Sequence, residues 1–85
     1  MPSHEEVLFA IAKCREKKLL EEDVVSTGTL TKELNSNQSR SREWDPFEVG
    51  IYMAKLGFAM SVTPTTHQRG WLVKGKAGYN WLVLQ

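Results

Sequence analysis

The segment Gly70-Trp-Leu-Val-Lys-Gly75-Lys76 has the spacing of a phosphate-cradling loop: a glycine, four residues, a glycine and a lysine. In nucleotide hydrolases that spacing lets backbone amides and the lysine hold the phosphates, while a following Ser or Thr at a helix start meets Mg²⁺. Here Ala77 stands in the Ser/Thr position, the loop interior is Trp-Leu-Val, and strand-forming residues follow where a helix is required. Nucleotide hydrolysis is therefore not expected. The other reactive side chains are scattered: Cys14 is the single cysteine, His4 and His67 are the two histidines, and no nucleophile lies near either histidine in sequence. Neither a disulfide framework, a clustered zinc site nor a catalytic set can be written from them. An enzyme is unexpected, as are a bound metal and a cofactor.

The remaining chemistry is contact with a polyanion. Net charge is only +1, but residues 1–35 hold seven acids against five bases, residues 36–85 hold three acids against six bases, and no acid follows Glu48. Lys55, Arg69, Lys74 and Lys76 thus lack acidic neighbours in the last third of the chain, which suits phosphate contact and equally suits keeping a sheet edge soluble. The run Asn35-Ser-Asn-Gln-Ser-Arg-Ser-Arg42 contains no apolar residue and reads as a loop whose Arg40 and Arg42 can clamp phosphate.

Such residues need elements to hold them. Ser3-His4-Glu5-Glu6 is a capping box that starts a first helix, on which Val7, Leu8, Ile11 and Cys14, followed by Leu19, recur near helical spacing. Lys13, Arg15, Lys17 and Lys18 fill its polar side toward the C-terminal end and read as a solvated face. Val24-Val25-Ser26 is long enough for a small strand, and Ser26-Thr27 can cap a second helix through Leu30 and Leu34. Asp45-Pro46-Phe47-Glu48 combines an N-cap acid, a proline at the first helical position and a reciprocal glutamate; it starts a third helix that Gly57 should stop. Phe58, Met60 and Val62 then alternate as a strand up to Pro64, and residues 71–74 and 79–84 read as two strands of a hairpin turning at Gly75-Lys-Ala-Gly78. Helix, short strand, helix, loop, helix and three strands predict a single α+β domain over residues 1–85, a winged helix-turn-helix of three helices with a small antiparallel sheet and a wing hairpin.

Trp44-Asp-Pro-Phe-Glu-Val-Gly-Ile-Tyr-Met-Ala-Lys-Leu-Gly-Phe58 also resembles the recognition-helix segment of winged helices appended to phage and mobile-element replicative helicase and primase proteins. The matching residues are Glu48-Val49-Gly50, Met53 and Lys55-Leu56-Gly57-Phe58. Residues 27–35, Thr-Gly-Thr-Leu-Thr-Lys-Glu-Leu-Asn, look like the second helix of such modules. The resemblance implies duplex DNA binding in replication or transcription control of a mobile element or virus. Ile51 and Ala54 fall on the outward arc of the third helix, and Asp45 and Glu48 stand at its leading end. Phosphate contact by the loop and the wing is therefore expected to outweigh base reading, and specificity to be limited.

The expected nucleic-acid contacts are Arg40, Arg42, Lys55, His67, Gln68, Arg69, Lys74 and Lys76. Trp44 is assigned to a hydrophobic staple at the third helix. Trp81 is assigned to the core, and Trp71 is the aromatic expected to be exposed, forming with Leu72 a surface for a partner protein or a second copy of the chain. Dimerisation or protein interaction is thus the alternative to DNA binding, favoured by more apolar strand residues than one sheet face can bury. No apolar run long enough to cross a membrane and no apolar leader are present, so a cytoplasmic or nuclear protein is expected.

Overall fold

The computed structural model describes residues 3–36 and 43–73. Along the chain run α1 (His4–Glu16), β1 (Val24–Ser26), α2 (Thr27–Ser36), α3 (Pro46–Leu56), β2 (Ala59–Val62) and β3 (Arg69–Leu72). The fold is α+β, three helices against a three-stranded antiparallel sheet in the order β1-β3-β2. None of these helices is long and apolar enough to cross a membrane.

Local chemistry sets the helix ends. Ser3 Oγ accepts from the Glu6 amide and the Glu6 carboxylate accepts from the Ser3 amide, both at 3.1 Å, closing the first box. Ser26 Oγ caps α2 by accepting from the Thr29 amide at 3.1 Å. At α3 the Asp45 carboxylate accepts from the Phe47 amide at 3.0 Å and Glu48 returns to the Asp45 amide at 3.2 Å. Gly57 ends α3 in the left-handed region at φ 92°, where a Cβ would be strained. Helix α1 ends at Glu16, so Leu19 lies beyond it and is exposed, against the helical spacing expected of it.

Buried Val7, Ile11 and Cys14 of α1, Leu30 and Leu34 of α2, and Val49 and Met53 of α3 form one cluster with Val25, Phe58, Trp71 and Val73. Trp44 is buried in this cluster, which also holds Val49, one turn into α3. The side chain of Asn35, at the end of α2, also clamps the Trp44 backbone, accepting from its amide at 2.7 Å and donating to its carbonyl at 3.1 Å. Burial, and after it the Glu33 carboxylate, push the Cys14 thiol up to about 11, which makes it a packing residue and not a nucleophile.

The sheet departs from the expected pairing. Strand β3 lies between β1 and β2: Trp71 pairs with Val25 on one side and with Met60 on the other. Val73 continues the β1 ladder by donating its amide to the Asp23 carbonyl at 2.8 Å. With both edges of β3 occupied, residues 71 and 72 cannot form the hairpin expected with 79–84; the rest of that hairpin lies outside the described residues. The sheet's own hairpin joins β2 to β3 through residues 63–68. Thr63 staples this turn, its amide donating to the Gln68 carbonyl and its Oγ1 accepting from the Gln68 amide, each at 2.9 Å. Glu21, just before β1, holds the turn from outside: its carboxylate accepts from the Thr65 amide at 2.8 Å and the Thr66 hydroxyl at 3.0 Å. The Thr65 amide first, helped by Thr66, keeps that carboxylate below its usual range.

Candidate nucleic-acid interface

The start of α2 lies beside the β2–β3 turn. Ser26, Gly28, Thr29 and Lys32 of this region, with Gln68 from the turn, line an open depression of about 340 Å³. The spacing is helical: Lys32 follows Gly28 by four residues and Thr29 by three, which brings the ammonium to the same face as the first turn. First-turn amides lack intrahelical acceptors and carry the positive end of the helix dipole, so this corner favours an anionic oxygen. Ser26 Oγ and Thr29 Oγ1 are themselves hydrogen-bonded at 2.7 Å, which fixes the rim.

Next to it, across Thr27 and Arg69, runs a second concavity of about 470 Å³ between α3 and the sheet. Its lining is mainly apolar: Phe47, Ile51 and Ala54 follow one another at helical spacing on α3, and Met60 stands opposite on β2. Phe47 is 68% exposed, Met60 64% and Ile51 42%. Arg69, at the first position of β3, supplies its cation at the rim.

The cations divide by location. At the C-terminal end of α1, Lys17 Nζ reaches both oxygens of buried Glu33 at 3.1 and 2.9 Å, and Arg15 donates to Asp23 at 3.1 Å and to the Val73 carbonyl at 2.7 Å. That basic run is engaged in tying α1 to α2 and to the end of β3. By contrast, the side chains of Lys32, Lys55 and Arg69 make no ion pair among the described residues.

Of the residues expected at the interface, Gln68 and Arg69 come together with the start of α2. His67 sits beside them, exposed, with φ 55° and its amide donating to the Thr63 carbonyl at 2.9 Å. Lys55 is exposed on the last turn of α3 and lines neither concavity. Arg40, Arg42, Lys74 and Lys76 lie outside the described residues, as does Trp81.

Trp71 corrects the expectation of exposure. It is only 4% exposed, and its indole N–H donates to Thr27 Oγ1 at 3.0 Å. Helix α3 approaches it at Gly50, where a Cβ would stand 4.0 Å from the indole Cζ2 and 3.8 Å from Thr27 Cγ2. The reason is position in the sheet: a central strand turns one face onto the helices, and Trp71 and Val73 share that face while Leu72 points away and is half-buried. Trp71 cannot serve as an exposed partner surface without unfolding.

Sequence reasoning missed Lys32 and the first turn of α2. The Gly28–Lys32 spacing within a capped helix was the available signal; that the turn at Gln68 meets it is a tertiary fact. Compared with models of protein families, curated proteins and solved structures, the chain matches none.

Proposed function

We propose that the domain is a winged helix that binds double-stranded DNA with limited sequence specificity, in the setting of replication or transcription control. The element order and the β1-β3-β2 sheet support this reading, with α2 and α3 as the helix-turn-helix and residues 63–68 as the wing. The observation that carries it is the grouping of Lys32 and Arg69, which make no ion pair among the described residues, with Gln68 at the open start of α2. Lys55 and His67 extend the cationic and hydrogen-bonding edge on either side. Phosphates are the natural ligands of such a set, and phosphate contacts position a protein without reading bases. The outward side of α3 offers Phe47, Ile51 and Ala54, which can touch a thymine methyl but cannot make the bidentate hydrogen bonds that discriminate bases.

The test is a pair of single variants, Lys32→Ala and Arg69→Ala, titrated against two unrelated duplexes by fluorescence anisotropy. Each variant is expected to weaken binding to both duplexes alike, and to lower the salt dependence of log K by about 0.9 per contact removed. Wild-type affinity in both variants contradicts the proposal.

A protein-interaction or dimerisation module is the second reading, and the apolar concavity beside α3 favours it. Light scattering separates the two. A concentration-dependent dimer lost in Phe47→Asp, with no affinity for DNA at low salt, selects the second reading.

A further inference from the structure

We propose that Glu21 is a positioning residue for the β2–β3 turn: an acid that strengthens the binding of a polyanion by holding Gln68 and Arg69 where they meet it. The role rests on the DNA-binding reading for its ligand, whereas the latch behind it stands on the contacts of the turn itself.

The first support is a chain of hydrogen bonds that runs in one direction. A carboxylate only accepts, so the Thr66 hydroxyl, 3.0 Å from Glu21 Oε2, points its proton there. Thr63 Oγ1 lies 2.6 Å from Thr66 Oγ1 and must therefore be the donor of that pair, its 3.5 Å approach to the Gln68 carbonyl being too long to compete. The same Thr63 oxygen accepts from the Gln68 amide at 2.9 Å. Gln68, Thr63 and Thr66 thus donate in sequence toward Glu21, an arrangement in which each bond polarises the next. The Thr65 amide reaches the other carboxylate oxygen at 2.8 Å. One side chain so holds the turn both at its tip and at its return into β3.

The second support is how Glu21 is itself held. Its backbone pairs with Val24 through two bonds of 2.9 Å. Between them Glu22 and Asp23 take φ of 48° and 64°, left-handed backbone that is uncommon outside glycine and persists where the surroundings over-determine it. Arg15 supplies that restraint from α1, donating to the Asp23 carboxylate at 3.1 Å and to the Val73 carbonyl at 2.7 Å.

The third support is what the latch governs. Gln68 lines the depression with Lys32, and Arg69 follows it at the rim of the second concavity. His67, between Thr66 and Gln68, is also left-handed at φ 55°, so the turn too needs restraint to keep its shape. Removing an acid near a phosphate-binding edge ordinarily tightens binding by lessening repulsion. Opening the latch acts the other way, because affinity falls with the fraction of molecules whose turn stands in the competent position.

Glu21→Ala and Glu21→Gln separate the two effects. Both remove the same charge, but a glutamine amide can accept from the Thr65 amide and donate to the Thr66 hydroxyl, so only alanine opens the latch. Without DNA, amide hydrogen exchange followed by NMR is expected to run about tenfold faster at Thr65 and Gln68 in Glu21→Ala than in the wild type or Glu21→Gln, with α1 unchanged. Fluorescence anisotropy with a short duplex is expected to show about fivefold weaker binding by Glu21→Ala than by Glu21→Gln. Equal exchange in the three chains overturns the latch. Faster exchange in Glu21→Ala with equal duplex affinity of the two variants overturns the positioning role and leaves the DNA-binding reading intact. Absence of duplex binding by the wild type overturns that reading and the positioning role together, while the exchange rates still decide the latch.

Discussion

Trp71→Ala is expected to lower the melting temperature by about 15 °C or more and to leave much of the protein unfolded at physiological temperature. Removing a buried tryptophan side chain costs about 3–5 kcal/mol, and domains of this length lose about 4–8 °C per kcal/mol. Total stability is about 4–13 kcal/mol at typical per-residue values, so one substitution removes a large share of it. The cost here belongs in the upper part of the range. Trp71 fills the space between β3, the start of α2 and α3 at Gly50, so its loss opens a cavity shared by three elements. Trp71→Phe separates packing from hydrogen bonding: it keeps most of the ring, strands the Thr27 hydroxyl now held at 3.0 Å, and should cost about 1–2 kcal/mol. Thermal denaturation followed by circular dichroism measures both. A Trp71→Ala protein melting within a few degrees of the wild type contradicts the placement of this residue.

Gly70→Ala is expected to be among the most destabilising single substitutions in the chain. A Cβ at this position overlaps the Val25 carbonyl oxygen and stands 2.8 Å from the carbonyl carbon and 2.9 Å from Ser26 Cα. These are backbone atoms of β1, which cannot rotate aside as a side chain end could. Relief requires β1 to shift away from β3, breaking a ladder on which Val25 and Trp71 both depend. A loss above about 4 kcal/mol follows, in the class of the most damaging single substitutions. Gly28→Ala is the matched control. Nothing lies within 4 Å of a Cβ there, and the residue is inside α2, so alanine should stabilise the helix by up to about 1 kcal/mol. Opposite signs for the same chemical change at two glycines are read from urea midpoints. Equal midpoints for the two variants are incompatible with the close approach of β1 and β3.

The helix starts, and the stop of α3, were legible in the sequence because they are decided locally. Ser3 with Glu6, Ser26 with Thr29, and Asp45 with Glu48 each lie within one turn of their partners, and Gly57 supplies its own conformation. Strand pairing was not legible in the same way. Val24–Ser26 is three residues long and finds its partner more than forty residues later, and so short a run carries no mark of which strand it will meet. The strand-forming runs at 71–74 and 79–84, on either side of Gly75-Lys-Ala-Gly78, suggested a local hairpin instead, and Trp71 was expected on an open surface. Alternation itself held over Trp71, Leu72 and Val73, since it depends only on the extended backbone. At the candidate interface, Gln68 and Arg69 were visible as polar residues near a turn. Lys32 was not, because its relevance comes from the meeting of α2 with the β2–β3 turn. The apolar stripe of Phe47, Ile51 and Ala54 was partly visible as the outward arc of α3, whereas Met60 facing it depends on the position of β2 at the sheet edge.

Binding of the full chain to a short duplex of arbitrary sequence, titrated with monovalent salt, tests the DNA-binding account most directly. Three phosphate contacts, from Lys32, Lys55 and Arg69, predict a straight log–log plot with a slope of about −2.7, little changed by the duplex sequence. Absence of binding even at low salt contradicts it.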